Sequence, residues 1–258
     1  MPRRLSRSFR KNLLLSQSGL TTKQTILIIL ACSFIALVIV LAGFALSKVE
    51  EKIKTDAGDA LQIVLQTTRE SLNLWIESNK FDLTQLAGDP RIVLLAEHQL
   101  QVPRNKNDLL KSQALKELRR FFQNNKDRFG QANFFIIAPD FVNIASMGDK
   151  NIGSKNRIAS QALDLINRAF NGETVMVPPI WAAVVLTSSS GVSFVNTPTM
   201  FFAAPVKNLK DQIIAVVTKQ INPSQDFTRL IQLGRIGKTG ETYAFDRYSK
   251  LLSASHFD

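Results

Sequence analysis

Gly-Lys-Thr at 237–239, set between Gly234 and Gly240, has the residue types of a phosphate-binding loop. Such a loop curls successive backbone N–H groups around an anion and adds a lysine charge. The spacing does not fit. Gly, four residues, then Gly-Lys-Thr would need a glycine where Gln232 stands. The flanks are also reversed, since Phe227, Leu230, Ile231 and Leu233 recur at helical spacing before the glycines and the strand formers of "ETYAFD" follow them. The stretch reads as a helix-to-strand connector, with Gly234 closing the helix and Thr239-Gly240 turning the chain. Other reactive types are dispersed. Asp140, Glu173 and Asp211 have no His or Cys near them in sequence to complete a nucleophilic set, so no catalytic residues are expected. His98 and His256 lie far apart and the single Cys32 sits in an apolar run, so neither a metal site nor an internal disulfide is expected.

The elements that would position any site begin with charge. The chain of 258 residues carries a net charge of +11, and six of those charges (Arg3, Arg4, Arg7, Arg10, Lys11 and Lys23) precede residue 26 without one Asp or Glu. The body is only mildly basic, which argues against nucleic acid as a partner. Ile26–Leu46 holds no charged residue. A helix of that length spans roughly 30 Å, the hydrocarbon thickness of a bilayer. The basic tail before it, against Glu50 and Glu51 after it, predicts a cytoplasmic N-terminus and an extracytoplasmic remainder at the cell (inner) membrane. Gly43-Phe44-Ala45 has the small-x-small form of a signal cleavage site, but the long apolar run and long leading tail favour a retained anchor.

Beyond Lys48 the sequence predicts a long stalk helix. Val49, Ile53, Ala57, Ala60, Val64, Thr67 and Leu74 form one stripe, and Leu61, Leu65, Leu72 and Ile76 a second. The first stripe, laced with Glu50, Glu51, Lys52 and Lys54, has coiled-coil character and points to a homodimer through this helix. Asp89-Pro90 after Gly88 predicts one helix end and the capped start of the next. "NDLLKSQALKELRRFFQNN" predicts one amphipathic helix, with Leu110, Ala114, Leu115, Leu118, Phe121 and Phe122 inward and Lys111, Lys116, Arg119 and Arg120 in water. "NFFIIA" and "FVNIAS" predict two strands around Pro139-Asp140. "ASQALDLINRAFNG" predicts a helix burying Ala162, Leu163, Ile166, Ala169 and Phe170 and stopped at Asn171-Gly172. "ETVMVPPIW", "TMFFAAPVKN" and "DQIIAVVTKQIN" predict further strands, and "TYAFD" with "KLLSAS" a hairpin. Two strands, a helix and more strands describe an α+β lobe, a mixed and mainly antiparallel sheet with helices to one side.

The order of these pieces resembles the double Cache sensor domains, PAS-like extracytoplasmic modules of bacterial sensor kinases, cyclases and chemoreceptors. The resemblance rests on the anchor, the stalk helix bearing Trp75, "LAGDPRIV", "FNGE" before Pro178-Pro179, "FFAAPVKN", "IIAVVTKQIN" and the connector "FTRLIQLGRIGKTGETYAFDRYSKLLSAS". It implies a cytoplasmic tail at 1–25, a membrane helix at 26–47, a stalk at 48–80, a membrane-distal lobe at 81–234 and the start of a second, truncated lobe at 235–258. Any kinase, cyclase or methyl-accepting output would then lie beyond Asp258, leaving this chain a non-enzymatic sensor of a small molecule, with no cofactor.

Lobes of this kind hold a ligand between the sheet and the segments crossing it. The segment 178–202 would then supply Trp181 as an aromatic wall, hydroxyls from Thr187, Ser188, Ser189 and Ser190, and an apolar side from Phe194 and Phe202. Trp181 also reads as core, and Ser-Ser-Ser-Gly also as a turn. The amino-acid-binding members of the family carry a Tyr, then Arg, Trp and Tyr close together. Here Ala182 follows Trp181 and no arginine occurs between Arg168 and Arg229, so an α-carboxylate lacks its bidentate partner. A membrane-tethered binding or scaffold protein without signalling output is the alternative reading.

Overall fold

The structure, a computed structural model, describes residues 21–125, 133–181, 186–187, 193–194, 198–223, 227–232, 234, 240–246, 249 and 251–253. It divides into two compact units, 1–60 and 61–258. One helix, α1 (Thr22–Ala87), contributes to both. In the first unit every described residue is exposed, among them Leu27, Leu30, Phe34 and Phe44. This helix is long and apolar enough to cross a membrane. Behind the apolar run the surface becomes ionic, with Lys48 bonded to Glu51 at 3.0 Å and Lys54 to Glu50 at 2.7 Å.

The second unit is an α+β lobe around a five-stranded antiparallel sheet in the order β2-β1-β7-β6-β3. Its strands are β1 (Phe134–Ile137), β2 (Asn143–Ser146), β3 (Val175–Trp181), β6 (Pro198–Lys207) and β7 (Ile213–Ile221). A separate two-stranded ladder, β4 (Leu186–Thr187) with β5 (Ser193–Phe194), lies between β3 and β6 in sequence. Pro178 and Pro179 fall on β3 at an edge of the sheet, where the register shifts between Val177 and Ile180. An edge is where a missing N–H costs no ladder bond.

Side chains alternate across the sheet, and both faces are apolar. Phe134, Ile136, Met200, Phe202, Ala204, Ala215 and Val217 belong to one core, with Leu72, Trp75, Leu83 and Leu86 of α1. The same core takes in α2 (Pro90–Leu100), α3 (Lys106–Lys111) and α4 (Gln113–Asn124). Phe135, Ile137, Val177, Ile180, Phe201, Ala203 and Val216 form the second core with α5 (Arg157–Gln161) and α6 (Leu163–Phe170). Helices therefore cover both faces, where the sequence pattern placed them to one side. A strand such as "FFII", buried at all four positions, requires cover on each face.

Two expected helices are each broken in two. At Ser112 the backbone turns extended (φ −58, ψ 134), separating α3 from α4. In one straight helix Leu109 would point away from the Leu115–Leu118 face by about half a turn at 100° per residue. The break lets Leu109 and Leu118 both be fully buried, while Leu110 is only half-buried. Ala162 (φ −146, ψ 54) similarly separates α5 from α6, and Leu163 behind it is exposed rather than buried. Arg119 is not simply solvated: its Nε donates to the Ser146 carbonyl at 2.9 Å and its guanidinium reaches Asp149 at 2.6 Å.

Other local expectations are met. Asp89 caps α2 by accepting from the Arg91 N–H at 2.9 Å, with Pro90 at the first turn, and Gly172 stops α6 at φ 102. The segment after α7 (Phe227–Gln232) makes one bridge, Phe245 with Leu251, rather than a hairpin ladder among the described residues. Its Ala244 and Leu252 pack on the α1 side of the core, which gives this short piece the support an isolated two-stranded unit lacks.

Candidate functional site

β7 reads "IIAVVTKQI", and its polar end decides what the sheet can do. Cross-strand partners share a face. Thr218 lies opposite Phe135 of β1 and Ala203 of β6, and Gln220 opposite Phe201 of β6. Both side chains therefore point to the α5–α6 face. Thr218 is fully buried and Gln220 is 8% exposed, and neither the Thr218 Oγ1 nor the Gln220 Oε1 has a hydrogen-bond partner among the described residues. Lys219, between them, points the other way and donates from Nζ to the Asn79 Oδ1 of α1 at 3.1 Å. Two buried polar atoms without partners, two positions apart on one strand, cost roughly 1–3 kcal/mol each.

Aromatic rings flank the pair: Phe135 and Phe201 lie with centroids 6.2 Å apart. Thr199 is 1% exposed and faces the same side, opposite Ile180 of β3. Thr218 and Gln220 thus set a hydroxyl and an amide oxygen beside two mutually tilted rings, polar and apolar groups of the kind that orient a small organic molecule. Among the described residues Gln99 Oε1 is a third such unpaired atom, on α2 over the opposite side of the sheet. The Gln99 amide already donates to the Ile144 carbonyl at 2.8 Å, which makes it a clamp between α2 and β2.

Side-chain bonds hold the helices over this face. Asn156 accepts from the Ile158 N–H at 2.8 Å and donates to the Asn143 Oδ1 at 2.6 Å, seating the start of α5 on β2. Gln161, at the end of α5, donates to the Trp181 carbonyl at 2.8 Å and accepts from the Trp181 N–H at 3.1 Å. This pair of bonds imitates a ladder rung on the open edge of β3. Arg168 of α6 is bonded to Glu173 just before β3. The guanidinium hydrogen bond holds the Glu173 carboxyl below the usual carboxylate range, and the same contact raises Arg168.

Of the positions singled out from the sequence, Phe202 lies on the opposite face, fully buried and edge-on to Trp75 with centroids 5.5 Å apart. Trp181 ends β3 opposite Pro198, in register with the Phe202 side, and is 56% exposed. Thr187 and Phe194 lie on the β4–β5 ladder, opposite Ser193 and Leu186 respectively. Ser189 lies outside the described residues, as do Ser188 and Ser190, and the Gly-Lys-Thr stretch lies there too. The sequence reading passed over Thr218 and Gln220. Their signal was two uncharged polar residues on the parity of Val216, one on each side of Lys219, in a strand apolar elsewhere.

No family model matches the chain, and no curated protein matches it. Solved structures do show likeness. The ligand-binding domain of the Campylobacter jejuni chemoreceptor Tlp3, in complex with L-valine, is 15% identical at a TM-score of 0.44, covering 77% of this chain and 69% of that one. The E. coli DcuS sensor domain is 16% identical at a TM-score of 0.40, covering 64% and 96%. The sensor domain of the V. cholerae histidine kinase DctB is 16% identical at a TM-score of 0.40, covering 67% and 58%. Similarity of this size leaves function to be argued from the chain's own residues.

Proposed function

We propose that this chain is the extracytoplasmic sensing part of a membrane-anchored receptor, binding a small molecule in its α+β lobe. The observation that carries the reading is the Thr218–Gln220 pair, buried and unpaired between Phe135 and Phe201. A fold that needed only a core would place apolar side chains there, because unpaired buried polar atoms cost stability and return it when a ligand bonds to them. The apolar part of α1, with a basic tail before it, serves as a membrane anchor whose N-terminus is cytoplasmic. Val49 and Ile53, exposed on α1, begin a stripe through which two copies pair as a homodimer. A ligand that favours one arrangement of the lobe shifts the equilibrium only by its differential affinity, and the helix passes that bias toward the membrane.

The test is a thermal-shift screen of the full chain in nanodiscs against a metabolite library, with two sets of variants carried in parallel. Thr218→Val and Gln220→Leu are expected to abolish a ligand-dependent rise in melting temperature. If only Trp181→Ala, Thr187→Val, Ser189→Ala or Phe194→Ala removed it, the ligand would sit against 181–194 instead. Loss in Phe202→Ala counts for neither site, because that residue is core. A screen without any stabilising compound would leave the tethered-scaffold reading in its place.

A further inference from the structure

Charge is distributed around the Thr218–Gln220 face in a way that bears on what it can bind. From Thr174 to Val206, through β3, the β4–β5 ladder and most of β6, the chain has no Asp, Glu, Lys or Arg. The residues of β1 and β2 on this face, Phe135, Ile137, Asn143 and Ser146, are neutral. Lys219 of β7 is committed to Asn79 on the opposite side. On the covering helices Arg157, Asp164 and Arg168 are exposed, and Arg168 is paired with Glu173. Among the described residues, every buried polar side chain is uncharged.

We propose that the molecule bound here is uncharged, with an amide, carbonyl or hydroxyl group for Thr218 and Gln220 and a flat apolar body for Phe135 and Phe201. The inference rests on the sensing role proposed above and narrows it. Among the described residues, a carboxylate at this face would be stripped of water with only a hydroxyl and an amide to replace it, and an ammonium would meet no counter-charge. Burying an ion without a partner costs far more than one neutral hydrogen bond returns. A neutral amide loses little: its N–H donates to the Gln220 Oε1, and its carbonyl accepts from the Thr218 hydroxyl.

Three probes of almost one shape separate charge from fit: benzamide, benzoate and benzamidinium. Each is titrated into the full chain in nanodiscs, with melting followed by intrinsic fluorescence, for wild type and for a Thr218→Val, Gln220→Leu double variant. Benzamide is expected to raise the melting temperature of the wild type and not of the double variant, and the two ions to act at least roughly a hundredfold more weakly. If either ion matches benzamide and its effect is lost in the double variant, the site stands and the neutral class is wrong. A benzamide effect that survives in the double variant places binding elsewhere and overturns the inference. If benzamide has no effect on the wild type, the inference also fails, and the melting temperature of the unliganded double variant then judges the site itself. A value above wild type keeps a strained ligand face, and a value below it makes Thr218 and Gln220 structural.

Discussion

Thr218 and Phe202 show how differently two buried residues on neighbouring strands can be used. Phe202 is fully buried against Trp75, and its ring has no polar atom to leave unsatisfied. Thr218 is equally buried, yet its hydroxyl has no partner. Valine has nearly the same shape without the hydroxyl, so Thr218→Val is expected to stabilise the unliganded chain by about 1 kcal/mol. Denaturant midpoints with an unchanged slope would record it, and a destabilised Thr218→Val chain would mean that the hydroxyl is structurally bonded. The Arg168–Glu173 pair works differently. It is exposed to solvent and fixes the approach of α6 to β3 without adding charge to the buried face.

Among the elements, α7 and α1 meet at Gly234. A Cβ placed there would stand 2.5 Å from the Thr68 Oγ1 and 3.3 Å from the Ile231 carbonyl oxygen. The glycine therefore follows the helix because of close packing, with its N–H donating to the Ile231 carbonyl at 3.1 Å. Gly234→Ala is expected to cost about 1–3 kcal/mol by overpacking, and Thr68→Ala in the same chain to recover part of that loss. Equilibrium unfolding of the single and double variants checks the coupling. If the two effects simply add, the contact is not what excludes a side chain. One of the broken helices follows related logic. Ser112 interrupts a run that looks continuous in sequence, because the lobe buries both Leu109 and Leu118, which one straight helix would place on opposite sides. The run broken at Ala162 instead buries Ile158, Ile166 and Ala169 on one side.

At the scale of the whole molecule, α1 carries two kinds of apolar surface. Leu72, Trp75, Leu83 and Leu86 are taken up by the lobe, whereas Val49, Ile53, Ile63, Leu74 and Phe81 are exposed. If copies pair through the exposed stripe, single cysteines at Val49, Ile53 and Ala60, in a Cys32→Ser background, are expected to give disulfide dimers in membranes. Cysteines at Lys52 or Lys54 are expected to give far less. Equal yields at all five positions would indicate collision rather than a helix pair, and absence of dimers at every position would remove the homodimer.

The order of strands and helices, the membrane-length apolar run and the caps at Asp89 and Gly172 were legible in the sequence, because each follows from local periodicity or backbone preference. The breaks at Ser112 and Ala162 were not, and neither was the steric need for Gly234, which comes from Thr68, a neighbour distant in sequence. The same holds for the candidate site. Thr218 and Gln220 are visibly polar within "IIAVVTKQI", but a strand of given sequence can turn its even residues to water or to a core. Only pairing in register with Phe135 and Phe201, under helices that cover the second face, turned them inward without partners. Period-two alternation fixes which side chains point the same way, and the packing of the sheet decides what they face.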